Sequence, residues 1–125
     1  MTRTLIVDAA NVVGSVPNGW WRDRAGAATR LRDALVPVAS AGLPDQPGPL
    51  AITLVVEGAA RDVPSVEGVD VVSAPGSGDD AIVELVERVS NGGTPIVVTA
   101  DRGLRDRIIP LGATVLGPRS LPYGH

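Results

Sequence analysis

Five acidic residues stand at positions where packing alone gives little reason for a carboxylate. Asp8 closes the run Thr4-Leu5-Ile6-Val7. Glu57 follows Thr53-Leu54-Val55-Val56, and Asp101 follows Ile96-Val97-Val98-Thr99-Ala100. Asp79 and Asp80 open a stretch with helical periodicity. The three apolar runs read as strands buried on both faces, and open α/β sheets place their ligands beyond the carboxyl ends of such strands. A charged group at a buried strand end costs several kcal/mol unless it is paired or bound to a metal. The expectation is therefore that Asp8, Glu57, Asp79, Asp80 and Asp101 converge on a divalent cation.

Each of these residues also has a plainer role open to it. Asp8 could pair with a loop arginine, and Asn11 is either a ligand-orienting amide or a turn residue. Asp101 could be a helix N-cap, and Asp79 an acid answering the dipole of a first helical turn. Helical phase separates Asp79, which shares a stripe with Ile82, Val86 and Val89, from Asp80, which shares one with Glu84 and Glu87. Asp79 should face the sheet and Asp80 the solvent. Thr99 could hydrogen-bond Asp8 or a phosphate. Arg102 and Arg105 could hold phosphate oxygens or simply be exposed. Ser77 lies in Gly76-Ser77-Gly78, a helix start whose amides could bind a phosphate. Trp20 and Trp21, the only tryptophans, lie side by side in a loop read as Asn11 to Arg22. They are either a plug against the next helix or a platform on which an unpaired base stacks.

An oxygen-only ligand set suits Mg²⁺ or Mn²⁺. Cysteine is absent and the single histidine is His125, so zinc is not expected. Such a site hydrolyses a phosphodiester with an activated water and needs no nucleophilic side chain. Competing chemistries lack their residues. There is no lysine anywhere, hence no Walker loop and no phosphate-accepting receiver domain. No glycine-rich dinucleotide fingerprint follows the first strand, and no Gly-X-Ser-X-Gly occurs. Ala10 stands where aspartate-based phosphatases carry a second aspartate.

The 125 residues fit one domain over 1–125, with 117–125 expected as an irregular, loose tail. At 44% hydrophobic residues the chain can build a core, and with no Phe that core must be aliphatic. No apolar run is long enough to span a bilayer, and Met1 to Asp8 does not read as a signal peptide. Absence of cysteine accords with a cytoplasmic setting. All 11 basic residues are Arg, and the net charge of −3 argues against a large duplex footprint. Strands are expected near 3–8, 51–56, 69–73, 95–98 and 113–116. Helices are expected near 23–40, shortened or kinked by Pro37, 78–90 and 101–109. The stretches 41–49 and 58–68 read as loops. This alternation gives an α/β fold, a parallel sheet with helices on both faces.

The segments LIVDAANVV (5–13), VDVVSAPGSGDDAIVELV (69–86) and IVVTADRGLRDRI (96–108) resemble the PIN-like nucleases, in particular the NYN type and its YacP-like group. In that group the first motif reads like LIVDGYNVI, so Ala9-Ala10 replaces a glycine-tyrosine pair, and Gly103 stands where many PIN nucleases carry another acid. The resemblance implies a three-layer α/β/α fold with five parallel strands in the order 3-2-1-4-5. It also implies a Mg²⁺- or Mn²⁺-dependent ribonuclease with Asp8, Asp79 and Asp101 as its acidic centre and Asn11 beside it. Glu57 falls where YacP-like proteins tend to carry an acid. Nucleotide pyrophosphohydrolysis by the same chemistry and a non-catalytic RNA- or protein-binding module are the rivals. A homodimer and a protein partner are both left open.

Overall fold

In the computed structural model, residues 2–124 are described. Strand β1 (Arg3–Asp8) leads directly into a six-residue helix, α1 (Ala9–Gly14). A single 3-10 turn at Trp20–Arg22 precedes the long helix α2 (Arg24–Ala41). A two-stranded hairpin follows, β2 (Gly42–Leu43) and β3 (Gln46–Pro47). Strands β4 (Leu50–Val56) and β5 (Val69–Ser73) come next, then helix α3 (Gly78–Ser90). Strand β6 (Ile96–Val98), helix α4 (Arg102–Ile108) and strand β7 (Thr114–Leu116) complete the set.

The five long-range strands form one parallel sheet in the order β5-β4-β1-β6-β7. Strand β1 is central, and the direction of winding reverses between it and β6. That reversal is the topological switch point at which such sheets open a crevice for ligands. Two-residue strand periodicity divides the core in two. Leu5, Val7, Val56 and Val98 face α1 and α2, whereas Ile6, Val55 and Val97 face α3 and α4. The same alternation carries Asp8, Glu57 and Thr99 onto the α3/α4 side of the sheet end.

Four local expectations are corrected. The stretch after Asp8 is helical rather than loop, because Ala9, Val12 and Val13 recur at helical spacing and are all buried. Pro37 does not end α2, which continues four residues further. Pro37 lies on the exposed side, where water can take the carbonyl it leaves unpaired. The Pro- and Gly-rich stretch after α2 is partly a hairpin rather than only loop. The tail is packed rather than loose through residue 124. Leu121 is 1% exposed and Tyr123 7%, and both join the α1/α2 core, while Pro118 is also buried. His125 lies outside the described residues.

The packed tail has a measurable consequence. Leu121→Ala should lower unfolding stability by roughly 2–4 kcal/mol in urea, the range for emptying a buried leucine site. A loss below about 0.5 kcal/mol, typical of surface substitutions, would mean that the tail does not pack as described.

Candidate active site

The site grows from the switch point outward. Asp8 is 5% exposed and Thr99 1%, and the two are buried polar side chains at the end of the sheet. Thr99 Oγ1 donates to Asp8 Oδ2 at 3.0 Å and accepts from the Asp101 N–H at 3.1 Å. The other Asp8 oxygen accepts from the Asn11 N–H at 3.3 Å, which caps α1. Asn11 reaches across in turn, its Oδ1 accepting from the Ala100 N–H at 2.7 Å. The ends of β1 and β6 are therefore laced together by side chains two to three residues apart in each segment.

Asp101 caps α4, its Oδ1 accepting from the Leu104 N–H at 3.0 Å. Helix α3 begins under two acceptors. Ser77 Oγ takes the Asp79 N–H at 3.1 Å, and Glu57 Oε2, reaching over from the end of β4, takes the Gly78 N–H at 3.0 Å. Position 78 favours glycine for this reason, since a Cβ there would stand 3.0 Å from Glu57 Oε1. Asp79 is half-buried in the first turn of α3, on the side its phase predicts. Asp80 is exposed and pairs with Arg107 at 3.0 Å.

The acids sense one another. The Asp8 carboxyl is raised to about 6, first by burial and then by the charges of Asp79 and Glu57, against the lowering effect of its hydrogen bonds to Thr99 and Asn11. Asp79 is also raised, first by burial and then by Asp101, Glu57 and Asp80, with Arg107 opposing. Among the described residues, no group of three or more carboxylate or imidazole side chains is drawn close enough to grip a metal ion. Asp8, Glu57, Asp79 and Asp101 thus form an electrostatic cluster rather than a closed cage.

Of the other sequence candidates, Arg102 lies exposed in the first turn of α4, and Arg105 is exposed one turn on. Trp20 is half-buried against the α1/α2 core. Trp21 is 56% exposed and meets Trp20 edge to face, with ring centroids 6.1 Å apart. Sequence reasoning placed Arg24 on the solvent face of the long helix, where it lies, but gave it no site role; its guanidinium lies 5.4 Å from the Trp20 ring centroid. Sequence reasoning also missed a cavity of about 220 Å³ that Trp20 and Arg24 share with Ala9, Ala10, Ala28 and Glu57. Trp20 and Arg24 lie on different elements, a 3-10 turn and the start of α2, so their spacing left no helical signal. The alanines come from separate segments and left none.

Burial of Asp8 sets the sign of a pH effect. Its folded value of about 6 lies above its ordinary 3.8, so the stability tied to its neutral form is complete below about pH 4 and lost as pH rises through about 6. The difference is on the order of 3 kcal/mol between the two protonation states. With EDTA present, Asp8→Asn should match the parent near pH 4 and exceed it by about 1–3 kcal/mol near pH 7.5, read from urea denaturation at both pH values. A variant less stable than the parent near neutral pH would show that the buried charge is fully compensated.

No family model matches the chain. UPF0178 proteins from two strains of Xanthomonas oryzae pv. oryzae, PXO99A and MAFF 311018, are 41% identical to it over 61 residues, which is 49% of this chain and 35% of theirs. The match thus spans about a third of the length of those curated relatives. Crystal structures of Rae1 (YacP) from Bacillus subtilis are similar across 95% of this chain. One has a TM-score of 0.75 at 19% identity over 71% of its own chain. A mutant form has a TM-score of 0.77 at 18% identity over 72% of its chain. Identity that low speaks for architecture alone, and the architecture of this chain is YacP-like.

Proposed function

We propose that this protein is a ribonuclease, hydrolysing RNA phosphodiester bonds with Mg²⁺ or Mn²⁺ at the Asp8 end of the sheet. The observation that carries this reading is charge beyond what the fold needs. Serine or asparagine would cap α1 as well as aspartate does, without an ionisable group at a site 5% exposed. Yet a carboxyl is buried here and faced by Asp79 and Glu57. The PIN-like motifs and the YacP-like architecture support the same reading.

The donor chemistry suits a hard cation, because every candidate ligand is an oxygen. Mg²⁺ commonly takes only one or two carboxylates, with waters and substrate phosphate as its remaining ligands, so an open cluster is compatible with it. Asp8 and Asp79 would hold it, with Glu57 and Asp101 alongside. Asp80, engaged with Arg107, is a more distant contributor. A bound ion would supply Lewis acidity and an acidified water. The protein's own part is positional. Thr99 fixes one Asp8 oxygen, and Asn11 holds the Ala100 turn that presents Thr99 and Asp101. Arg102 at the start of α4 offers an exposed cation to a phosphate.

A small nucleotide is the alternative substrate. The net charge of −3 and a small open cavity that shares Glu57 with the acids favour it over a long duplex. Calorimetric titration of Mn²⁺ into the parent, Asp8→Asn and Asp79→Asn, with cleavage of a labelled single-stranded RNA in parallel, separates the cases. The ribonuclease reading expects binding and Mn²⁺-dependent cleavage by the parent, with a loss of at least about a hundredfold in cleavage by either variant. Binding with hydrolysis of nucleotides but not RNA would move the substrate to the nucleotide. Absence of Mn²⁺ binding by the parent would remove the metal site.

A further inference from the structure

The cavity behind the acid cluster opens between α1, α2 and the turn after β4. One wall is the Trp20 ring, carrying the Arg24 guanidinium 5.4 Å from its centroid. The floor is aliphatic, from Ala9, Ala28 and Val13. The mouth is bounded by Ala10, Ala60 and the Glu57-Gly58 corner. At about 220 Å³ the space falls below the ~300–1,000 Å³ of drug-sized ligand pockets, so its occupant is a small ring system. Arg24 shows what the ring wall accepts, since a planar, delocalised group already lies against it. Arg24 is also exposed, and guanidinium planes and tryptophan rings both stack on bases.

Position decides what that ring system is. Ala9 directly follows Asp8, and Glu57 belongs both to the cavity and to the acid cluster. A group held in the cavity therefore borders the acid cluster at Glu57, and a substituent on it can extend from there toward the other carboxylates. A base connected through ribose to a phosphate has that form. Ala10 keeps the mouth open, and its side chain is exposed on α1, where a longer residue would cover the opening.

We propose that the Trp20–Arg24 cavity is a subsite for one unpaired nucleobase, stacked on that wall with its sugar and phosphate directed at the Asp8 cluster. The purpose assigned to the cavity rests on the phosphodiesterase reading, whereas binding of a base in it can be tested without any metal or cleavage. In a Trp21→Phe background, Trp20 is the sole tryptophan of the chain and reports on its own wall. Adenosine, which is uncharged and indifferent to the acids, is titrated in EDTA while Trp20 emission is followed. Saturable quenching is expected, with ribose producing none. Filling the mouth by Ala10→Leu, or independently by Ala60→Leu, should weaken adenosine binding about tenfold or more, the scale of losing one stacked base. Thermal melts establish that each variant is folded.

Quenching that does not saturate, that ribose reproduces, or that survives in both filled variants overturns the subsite. The two readings fail separately. A parent that cleaves RNA with Mn²⁺, and an Ala10→Leu variant with the same KM, would overturn the subsite and leave the nuclease. Adenosine binding that both filled variants abolish, in a parent that cleaves no RNA, would support the subsite and remove the nuclease.

Discussion

The hydrogen bond from Thr99 to Asp8 is the constraint on which the rest of the arrangement depends. It spans the switch point of the sheet, between β1 and β6, at 3.0 Å and between two buried side chains. A buried carboxyl must be hydrogen-bonded or neutral to be tolerated. Thr99 serves because its hydroxyl works in both directions, donating to Asp8 while accepting from Asp101. That second bond fixes where α4 begins. The Asn11–Ala100 bond closes the ring from the other side. One buried acid thereby sets the start of α1, the turn after β6 and the entry to α4. Removing the Thr99 hydroxyl would leave both an acceptor and a donor unmatched.

Three helices, α1, α3 and α4, begin at this end of the sheet, and their caps are largely the site residues themselves. Asp8, Glu57, Ser77 and Asp101 each accept a backbone N–H of a first turn or cap. Positive helix ends favour the carboxylate form, and the hydrogen bonds do so as well. For Asp8 these effects are outweighed, because burial and neighbouring acids lift its carboxyl to about 6. Capping therefore explains the positions of the acids but not their charge. A hydroxyl or amide would cap without mutual repulsion, as Ser77 does. With the carboxyls of Asp8 and Asp79 both raised, the expected cost of their charge falls near neutral pH, where a proton or a cation would relieve it. Such tension between stability and site is common where a site has work to do.

The architecture was legible in the sequence because it is written in long-period signals. Apolar runs gave all five sheet strands, and the helical phase of Asp79 against Asp80 gave the orientation of α3. Asp8 was legible for a physical reason, since a carboxylate after four apolar residues has few inexpensive explanations. Shorter features were hidden by conflicting signals. Asn11 and Gly14 punctuate a segment whose buried Ala9, Val12 and Val13 nevertheless make a helix. Pro and Gly around Leu121 and Tyr123 masked a packed tail. The capping roles of Glu57 and Asp101 were only partly visible. Asp101 caps its own helix, whereas Glu57 caps a helix 21 residues away. The cavity was invisible, because small side chains carry no pattern and only the fold brings Ala10, Ala28 and Ala60 together.

Those small side chains bear on how an acidic chain could meet a phosphate-bearing ligand at all. Most nucleic-acid binders draw affinity from lysine and arginine on the backbone, with a steep salt dependence. Here the net charge is −3, lysine is absent, and the end of the sheet repels anions. Arg107 is engaged with Asp80 and Arg32 with Asp33. Arg24 lies against Trp20 and Arg22 over Trp21. Two of these four arginines therefore offer flat π-facing surfaces more than free charge. Stacking is sequence-tolerant and depends less on salt than phosphate contact does. A binding mode led by one stacked base, with the phosphate admitted only as the acid cluster is neutralised, would reconcile the net negative charge with the proposed phosphodiester substrate. It also accounts for alanine at position 10, where a tyrosine like that of the resembling motif would occupy the mouth of the cavity.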